Sequence, residues 1–212
     1  MVFFEPHQRD RKLFPHDPFK AMVVPRPVGW ISTMSKAGQL NLAPYSYFNG
    51  FSTNPMIVGF SSEGEKDSAA FAKESGEFVW SMATYPLRDQ MNATSAALPR
   101  GENEFAYAGL ETAPSRLVKP PRVAASPAAM ECRVTEVVAL RDLDGKDTGR
   151  RLVLGRVVGM HVDERFVKNG RLDAVGMQAI ARCGYDEYTV VDRVFSMNRP
   201  ATGGDAFGNS AR

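Results

Sequence analysis

The chain contains 212 residues and carries a formal net charge of +2, from 26 basic and 24 acidic residues. Its 43% hydrophobic and 24% charged residues are the composition of an ordinary globular protein, which can form a core at this length without disulfides or a metal ion. No run of Lys or Arg stands out, so the charge pattern disfavours nucleic acid and anionic membranes as partners.

The cysteines and the N-terminal residues predict the compartment. Cys132 and Cys183 form neither a disulfide framework nor a CxxC motif, and we expect both to remain thiols in a reducing environment. The first residues lack the features of a signal peptide, and no apolar run reaches the length of a membrane span. The sequence therefore predicts a cytoplasmic protein that is not embedded in a membrane.

Strands predominate among the predicted elements. Residues 16–23 predict a short helix capped by Asp17, and a strand over residues 28–35 leads into the turn KAGQ, where Gly38 takes a positive φ. Alternation or continuous apolar runs predict further strands at residues 40–49, 56–62, 77–83, 128–140, 150–163 and 187–197. Helical signals lie at residues 66–75, 86–98, 102–109 and 174–184, with Asp67 or Ser68 as the cap of the first and Gly76 as its end.

The order of these elements predicts the fold class. Hairpins connect most of the strands and there is no β–α–β rhythm, so we expect a mostly β protein with short helices, built as an antiparallel barrel or sandwich. Residues 1–20 are predicted as an N-terminal arm, residues 21–197 as the folded domain and residues 198–212 as a flexible C-terminal tail. Within the domain, residues 99–127 predict a long excursion that either covers a bound ligand or pads the contact between two copies of the chain.

One candidate site is an anion pocket at the start of a predicted helix. Ser61 and Ser62 end a strand, and Lys66 directly precedes the helix. A helix N-terminus offers unpaired N–H groups and a partial positive charge, which Lys66 would supplement for a phosphate. The alternative, a capped surface helix with a solvated lysine, remains open at this point.

A second candidate is the aromatic stretch NLAPYSYFNGFSTNP, residues 41–55. Alternation places Asn41 and Tyr45 on one face and Ser46 and Phe48 on the other, and neither face is cleanly apolar. The stretch is either a partly buried strand or one wall of a slot for a planar heteroaromatic ring.

Other reactive motifs give weaker signals. His161 is alone within a predicted strand, where a histidine is more often structural than a proton donor. No second His or Cys lies at metal-ligand spacing, so we expect no metal site. GxSxG does not occur, and the Gly-rich tail neither follows a strand nor opens a helix as a dinucleotide fingerprint would.

Several segments taken in order resemble a known family. RPVGWIST, NLAPYSYFN and SRLVKPPRV, within residues 15–195, resemble the flavin reductase-like, FMN-binding split-barrel proteins of the flavoredoxin type. The resemblance implies a six-stranded antiparallel Greek-key barrel and a homodimer with one FMN per subunit near the interface. It also implies hydride transfer from NADH or NADPH to the flavin, and then to a second acceptor such as a protein or an oxygenase.

The resemblance also assigns residues to the flavin. It places Ser32, Thr33, Asn41, Ala43, Pro44, Tyr45, Ser46, Tyr47, Phe48, Asn49, Ser61, Ser62, Lys66, Asp67, Ser68 and Asn92 in cofactor binding. It places His161 beside the isoalloxazine or the nicotinamide, as a candidate catalytic residue. The sequence departs from the family at Cys183–Tyr185, where a Gly pair is expected, so no role is carried over to Arg182 or Tyr185.

Two functions follow from this resemblance. The first is an FMN-dependent oxidoreductase of the flavin reductase type. The second is a flavoredoxin-like electron carrier that has no nicotinamide site of its own. A third interpretation is a barrel that binds another cofactor, such as haem or pyridoxal phosphate.

Overall fold

The computed structural model describes residues 1–198, and most of their regular structure is β. Apart from its first residue, the predicted tail at 198–212 lies outside the described residues. The helices of the described part are α1 Phe19–Met22, α2 Asp67–Ser75, α3 Arg88–Ala93, α4 Glu104–Tyr107 and α5 Ala174–Met177. Between residues 1 and 198, no helix is long and apolar enough to cross a membrane.

The strands are numbered along the chain. They are β1 Arg26–Pro27, β2 Gly29–Met34, β3 Leu40–Tyr45, β4 Phe48–Thr53, β5 Met56–Glu63, β6 Glu77–Ser81, β7 Thr112–Ala113, β8 Arg122–Val123, β9 Ala128–Arg141, β10 Asp147–Val162, β11 Val167–Lys168, β12 Arg171–Leu172, β13 Ile180–Arg182 and β14 Tyr188–Val190. Short 3₁₀ turns lie at Pro6–Gln8, Tyr85–Leu87 and Glu164–Phe166.

One large antiparallel sheet organises the molecule. Its strand order is β3-β2-β6-β9-β10-β5-β4, and the long hairpin of β9 and β10 lies at its centre. The predicted strand over residues 40–49 is divided in two, because the chain turns at Ser46 and Tyr47 and Tyr47 O accepts from Ser61 N. The two edge strands of the sheet are therefore consecutive in the chain, and Pro44 lies in an edge strand as its missing N–H requires.

The two faces of the sheet bury different clusters. One face carries Phe60 and Phe78, and Ala72 of α2 covers that cluster. The other carries Trp30 and Leu42, and the chain from α3 to β8 packs over it. Residues 99–127 are therefore a cover for the second face as well as a contributor to the site described below.

Some predicted element bounds are wrong. Lys66 is the N-cap of α2, with an extended backbone and no side-chain cap, so the cap predicted at Asp67 or Ser68 is incorrect. Gly76 ends α2 in the left-handed conformation, as predicted. The helix predicted over residues 174–184 stops early, because Gln178 takes φ 51° and the following residues pair with β1 and β14 as a strand.

Candidate functional site

A cavity of about 620 Å³ opens between β3, the start of α2 and the chain that follows α3. We call it the main cavity. Its lining residues are Asn41, Ala43, Pro44, Tyr45, Glu63, Gly64, Glu65, Lys66, Asp67, Ser68, Thr94, Ser95, Ala96, Ala97, Leu98, Arg100 and Glu104. The volume lies within the range of about 300–1,000 Å³ that is typical of small-molecule sites.

The first turn of α2 gives the main cavity an anion-binding edge. The first N–H groups of a helix have no partner within the helix, and they carry part of its dipole. Lys66 is exposed immediately before them and lines the cavity. Asp67 lies in the same turn, but Arg100 Nε is 2.9 Å from Asp67 Oδ1 and compensates its charge.

Two further carboxylates of the main cavity have partners, whereas Glu65, which is exposed, forms no ion pair among residues 1–198. Glu63 lies 3.5 Å from Arg150, on the neighbouring strand β10. Glu104 is 8% exposed and accepts a hydrogen bond from the Leu42 N–H at 2.9 Å. Burial, with a smaller effect from the nearby carboxylate of Asp67, raises the pKa of Glu104. Arg100 and Arg150 thus compensate Asp67 and Glu63, and Lys66 forms no ion pair among the described residues.

Side chains of β3 contact both α2 and β5 beside the main cavity. Asn41 Nδ2 donates to Ser68 Oγ at 2.7 Å, and the Tyr45 ring lies 4.8 Å from the ring of Phe60. Burial raises the pKa of Tyr45, although the neighbouring hydroxyls of Ser68 and Ser62 oppose this effect. Tyr45 therefore presents a neutral phenol, which can donate or accept a hydrogen bond.

A smaller cavity of about 180 Å³ adjoins the main one. We call it the small cavity, and its lining residues are Lys20, Arg26, Val28, Pro44, Tyr45, Ser46, Asn92, Ser95, Arg182, Tyr185 and Tyr188. Pro44, Tyr45 and Ser95 line both cavities, so the two are neighbours across these side chains.

A third cavity, of about 540 Å³, contains His161 and Glu131 and is lined by another part of the molecule. Glu131 is 1% exposed, and His161 Nε2 lies 2.6 Å from its Oε1. Burial pushes the pKa of Glu131 upward, but hydrogen bonds from the Arg116 N–H, from His161 and from the Leu117 N–H outweigh it and hold the pKa below its usual range.

The structure gathers part of the predicted flavin set. Asn41, Ala43, Pro44, Tyr45, Lys66, Asp67 and Ser68 line the main cavity. Pro44 and Tyr45, together with Ser46 and Asn92, line the small cavity. The predicted catalytic residue His161 lines the third cavity, which has no residue in common with the main cavity or the small cavity. Its role therefore stays a prediction.

The remaining predicted residues do not line these cavities. They are Ser32, Thr33, Tyr47, Phe48, Asn49, Ser61 and Ser62. Phe48 is buried in the core and stacks on Trp80, with ring centroids 5.7 Å apart and planes 3° apart. Ser32 is buried and donates to Pro121 O, whereas Thr33 Oγ1 is buried and has no hydrogen-bond partner among residues 1–198.

Other lining residues carry no local signal in the sequence. Arg100 and Glu104 reach the main cavity from the predicted excursion, and Thr94 to Leu98 come from the chain after α3. Arg182 and Tyr188 reach the small cavity from β13 and β14. For Arg100 and Glu104, the only indication in the sequence was the expectation that residues 99–127 cover the site.

The flavin reductase like domain profile matches residues 21–175 of the chain. The chain belongs to the flavin reductase-like family. Among relatives of this flavin reductase-like protein, an uncharacterized protein of Halalkalibacterium halodurans is 34% identical over 183 residues, which cover 84% of this chain and 87% of that protein.

Solved structures agree with this family. Nitrilotriacetate monooxygenase component B from Bacillus cereus is similar with a TM-score of 0.84 and 30% identity, covering 93% of this chain and 98% of that one. A protein with a split barrel domain from Shewanella frigidimarina gives a TM-score of 0.77 at 21% identity, covering 85% of this chain and 89% of that one. The predicted split-barrel fold is thereby confirmed.

Proposed function

We propose that the protein is an FMN-dependent oxidoreductase that reduces its bound flavin with NADH or NADPH and passes the electrons to a second acceptor. The observation that carries this proposal is the main cavity. It brings together the edge strand from Asn41 to Tyr45 and the helix start from Lys66 to Ser68, two segments that the resemblance assigns to flavin binding. These segments are separated in sequence and meet only through the fold.

The donors around the main cavity fit a mononucleotide. Lys66 and the free N–H groups at the start of α2 would hold the phosphate, since they join a full positive charge to helix-end donors. The carboxylates of Asp67 and Glu63 would oppose the phosphate less, because Arg100 and Arg150 compensate them. Asn41 and Tyr45 would contact the polar parts of the cofactor beyond the phosphate.

When bound, FMN supplies the redox chemistry, accepting two electrons with a proton and later releasing them. The chain's own residues bind and orient. Tyr45 offers a phenol that stays neutral at physiological pH, because burial raises its pKa. A step of this kind requires no proton from a side chain, so the proposal names no general acid or base in the main cavity.

The same proposal includes a homodimer, and its support is an apolar patch that shares no residue with the lining of the main cavity. Leu117, Met160 and Val162 are 51%, 57% and 39% exposed around the cavity that holds His161, and such a group of apolar side chains favours contact with a second copy. Sedimentation equilibrium across a range of concentrations tests this part. A monomer at all concentrations would contradict it.

The second acceptor of the electrons, whether free flavin, oxygen, a protein or an oxygenase, is to be identified by assay of the flavin-loaded protein.

The absorbance spectrum of the purified protein, followed by titration with FMN, tests the proposal directly. We expect a flavin spectrum or uptake of FMN at micromolar concentration. Anaerobic stopped-flow mixing with NADH and with NADPH should then bleach the flavin rapidly. A flavin-loaded protein that neither nucleotide bleaches is the electron carrier instead. A colourless protein that takes up no FMN, or a spectrum of haem or pyridoxal phosphate, overturns the flavin assignment.

A further inference from the structure

The small cavity is lined by three cationic side chains and by no acidic one. The cations are Lys20, Arg26 and Arg182. Within residues 1–198, none of the three lies within ion-pair distance of a carboxylate. By contrast, the main cavity carries acidic residues beside Lys66 and Arg100. The small cavity is therefore a separate region of uncompensated positive charge.

Part of this positive charge is the buried guanidinium of Arg26, which the backbone holds in place. The residue is 6% exposed, and its guanidinium donates to the carbonyl oxygens of Lys20, Val23 and Cys183. Its Nε has no partner among the described residues. Carbonyl groups satisfy the hydrogen bonds of a guanidinium but do not neutralise it, and a buried charge without a counter-ion is costly. An anion in the small cavity would relieve that cost.

Arg182 is held in place at the same cavity. Its Nη1 donates to the Tyr188 hydroxyl at 2.6 Å, its Nη2 donates to the carbonyl of Tyr185, and its Cζ lies 4.5 Å from the Tyr188 ring centroid. Because the Tyr188 oxygen accepts from Arg182, the Tyr188 hydrogen is left to donate elsewhere. A guanidinium and a phenol in this arrangement suit a carboxylate or a phosphate oxygen.

We propose that the small cavity binds an oxyanionic group of the second reactant in the flavin reaction, an inference that rests on the proposed function. At about 180 Å³ it is smaller than a site for a whole nucleotide but has room for one anionic group. Since Pro44, Tyr45 and Ser95 line both cavities, a ligand anchored there has its remaining part beside the main cavity. The anion is a carboxylate on an acceptor or a phosphate of the nicotinamide dinucleotide.

Isothermal titration calorimetry with Arg182→Gln tests the inference. The probes are benzoate, NADH and NADPH, each titrated without oxygen into FMN-loaded protein whose flavin has been reduced beforehand, so that no hydride transfer accompanies binding. We expect roughly tenfold weaker binding of at least one probe, from the loss of a charge-assisted hydrogen bond. Weaker binding of benzoate alone identifies a carboxylate of the acceptor as the anion. Weaker binding of NADPH alone identifies its additional phosphate, and weaker binding of both dinucleotides identifies their pyrophosphate.

Arg88→Gln is the matched control. Arg88 also stacks on a tyrosine, with Cζ 4.3 Å from the Tyr85 ring centroid, but it lies 3.4 Å from Asp89 and lines neither cavity. Lys20→Gln is a second test. Lys20 is exposed, and this substitution leaves the stacked side chains of Arg182 and Tyr188 in place. Both cavity variants should weaken the same probe, and Arg88→Gln should not.

Two outcomes overturn the inference. One is wild-type protein that binds none of the three probes, and the other is unchanged affinity in both cavity variants. FMN affinity, measured separately, should stay within about twofold in Arg182→Gln, since Arg182 does not line the main cavity. Wild-type protein that takes up no FMN instead contradicts the proposed function. Titration of that flavin-free protein with benzoate would still test the small cavity.

Discussion

His161 Nε2 lies 2.6 Å from Glu131 Oε1, and this contact links β10 to β9 through a carboxylate that is almost fully buried. The same carboxylate accepts the backbone N–H groups of Arg116, Leu117 and Val118 at 2.8, 2.6 and 3.1 Å. Glu131 therefore attaches the excursion over residues 99–127 to β9.

Glu131→Gln should destabilise the protein. The substitution removes the charge and replaces one accepting oxygen with an NH₂ group, which leaves buried N–H groups without a partner. We expect a loss of about 2–3 kcal/mol in the free energy of unfolding at pH 7. Urea unfolding followed by circular dichroism measures it. Glu136→Gln on the same strand is the control, because Glu136 is exposed and should change the stability little.

The difference in the free energy of unfolding between wild type and Glu131→Gln should depend on pH. The pKa of Glu131 is lower in the folded protein than its unfolded value of about 4.3. A depressed pKa contributes stability that is present above the unfolded pKa and is lost as pH falls through the folded pKa. The stability gap between wild type and Glu131→Gln should therefore narrow as pH falls below about 4.3. An undiminished gap in the most acidic buffer in which the wild type still folds would refute the assignment.

Lys66→Ala should weaken FMN binding while leaving the fold intact. Lys66 is exposed and its side chain makes no capping hydrogen bond to α2, so the free energy of unfolding should not change measurably. Loss of the phosphate contact should raise the Kd for FMN about tenfold. Fluorescence titration measures the affinity, and Lys73→Ala in the last turn of the same helix is the control. Equal affinities in wild type and Lys66→Ala would remove Lys66 from the site.

Local signals were sufficient for several elements of the fold. Gly38 and Gly76 take positive φ of 85° and 75° at the turn and helix end where they were predicted. The hairpin of β9 and β10 also followed from alternation. The division of the strand after Tyr45 was not predictable in this way, because there the chain stops pairing with β2 and begins to pair with β5.

The site was predictable in its segments but not in its full lining. Family resemblance located Asn41 and Lys66, which do line the main cavity. It also included Phe48, which the fold places against Trp80 in the core. Arg100 is brought to the cavity by its ion pair with Asp67, and no pattern in the sequence joins those two positions.

Ser32 and Thr33 should respond differently to removal of their hydroxyl groups. Both residues are fully buried, but Ser32 Oγ donates to Pro121 O, whereas Thr33 Oγ1 has no partner among residues 1–198. Ser32→Ala should lose about 1 kcal/mol of stability. Thr33→Val should be neutral or stabilising, because it removes an unpaired buried polar atom. Thermal unfolding of both variants tests the contrast, and a larger loss in Thr33→Val would contradict it.

Gly155→Ala should disturb the core of the barrel. A Cβ at this position would lie 2.3 Å from Phe78 Cε1 and 3.2 Å from Cys132 Cβ, and Phe78 is fully buried. The ring must move, so we expect a loss of about 1–3 kcal/mol. Gly50→Ala is the control, since a Cβ there meets nothing within 4 Å.

A double-mutant cycle identifies the cause of that loss. Phe78→Leu alone should be destabilising, because it removes buried ring atoms from the core cluster. Combined with Gly155→Ala, it should cost less than the sum of the two single changes, since the smaller side chain leaves room for the added methyl group. Urea unfolding of the four proteins gives the coupling. Strict additivity would show that Gly155 is required for a reason other than its approach to Phe78.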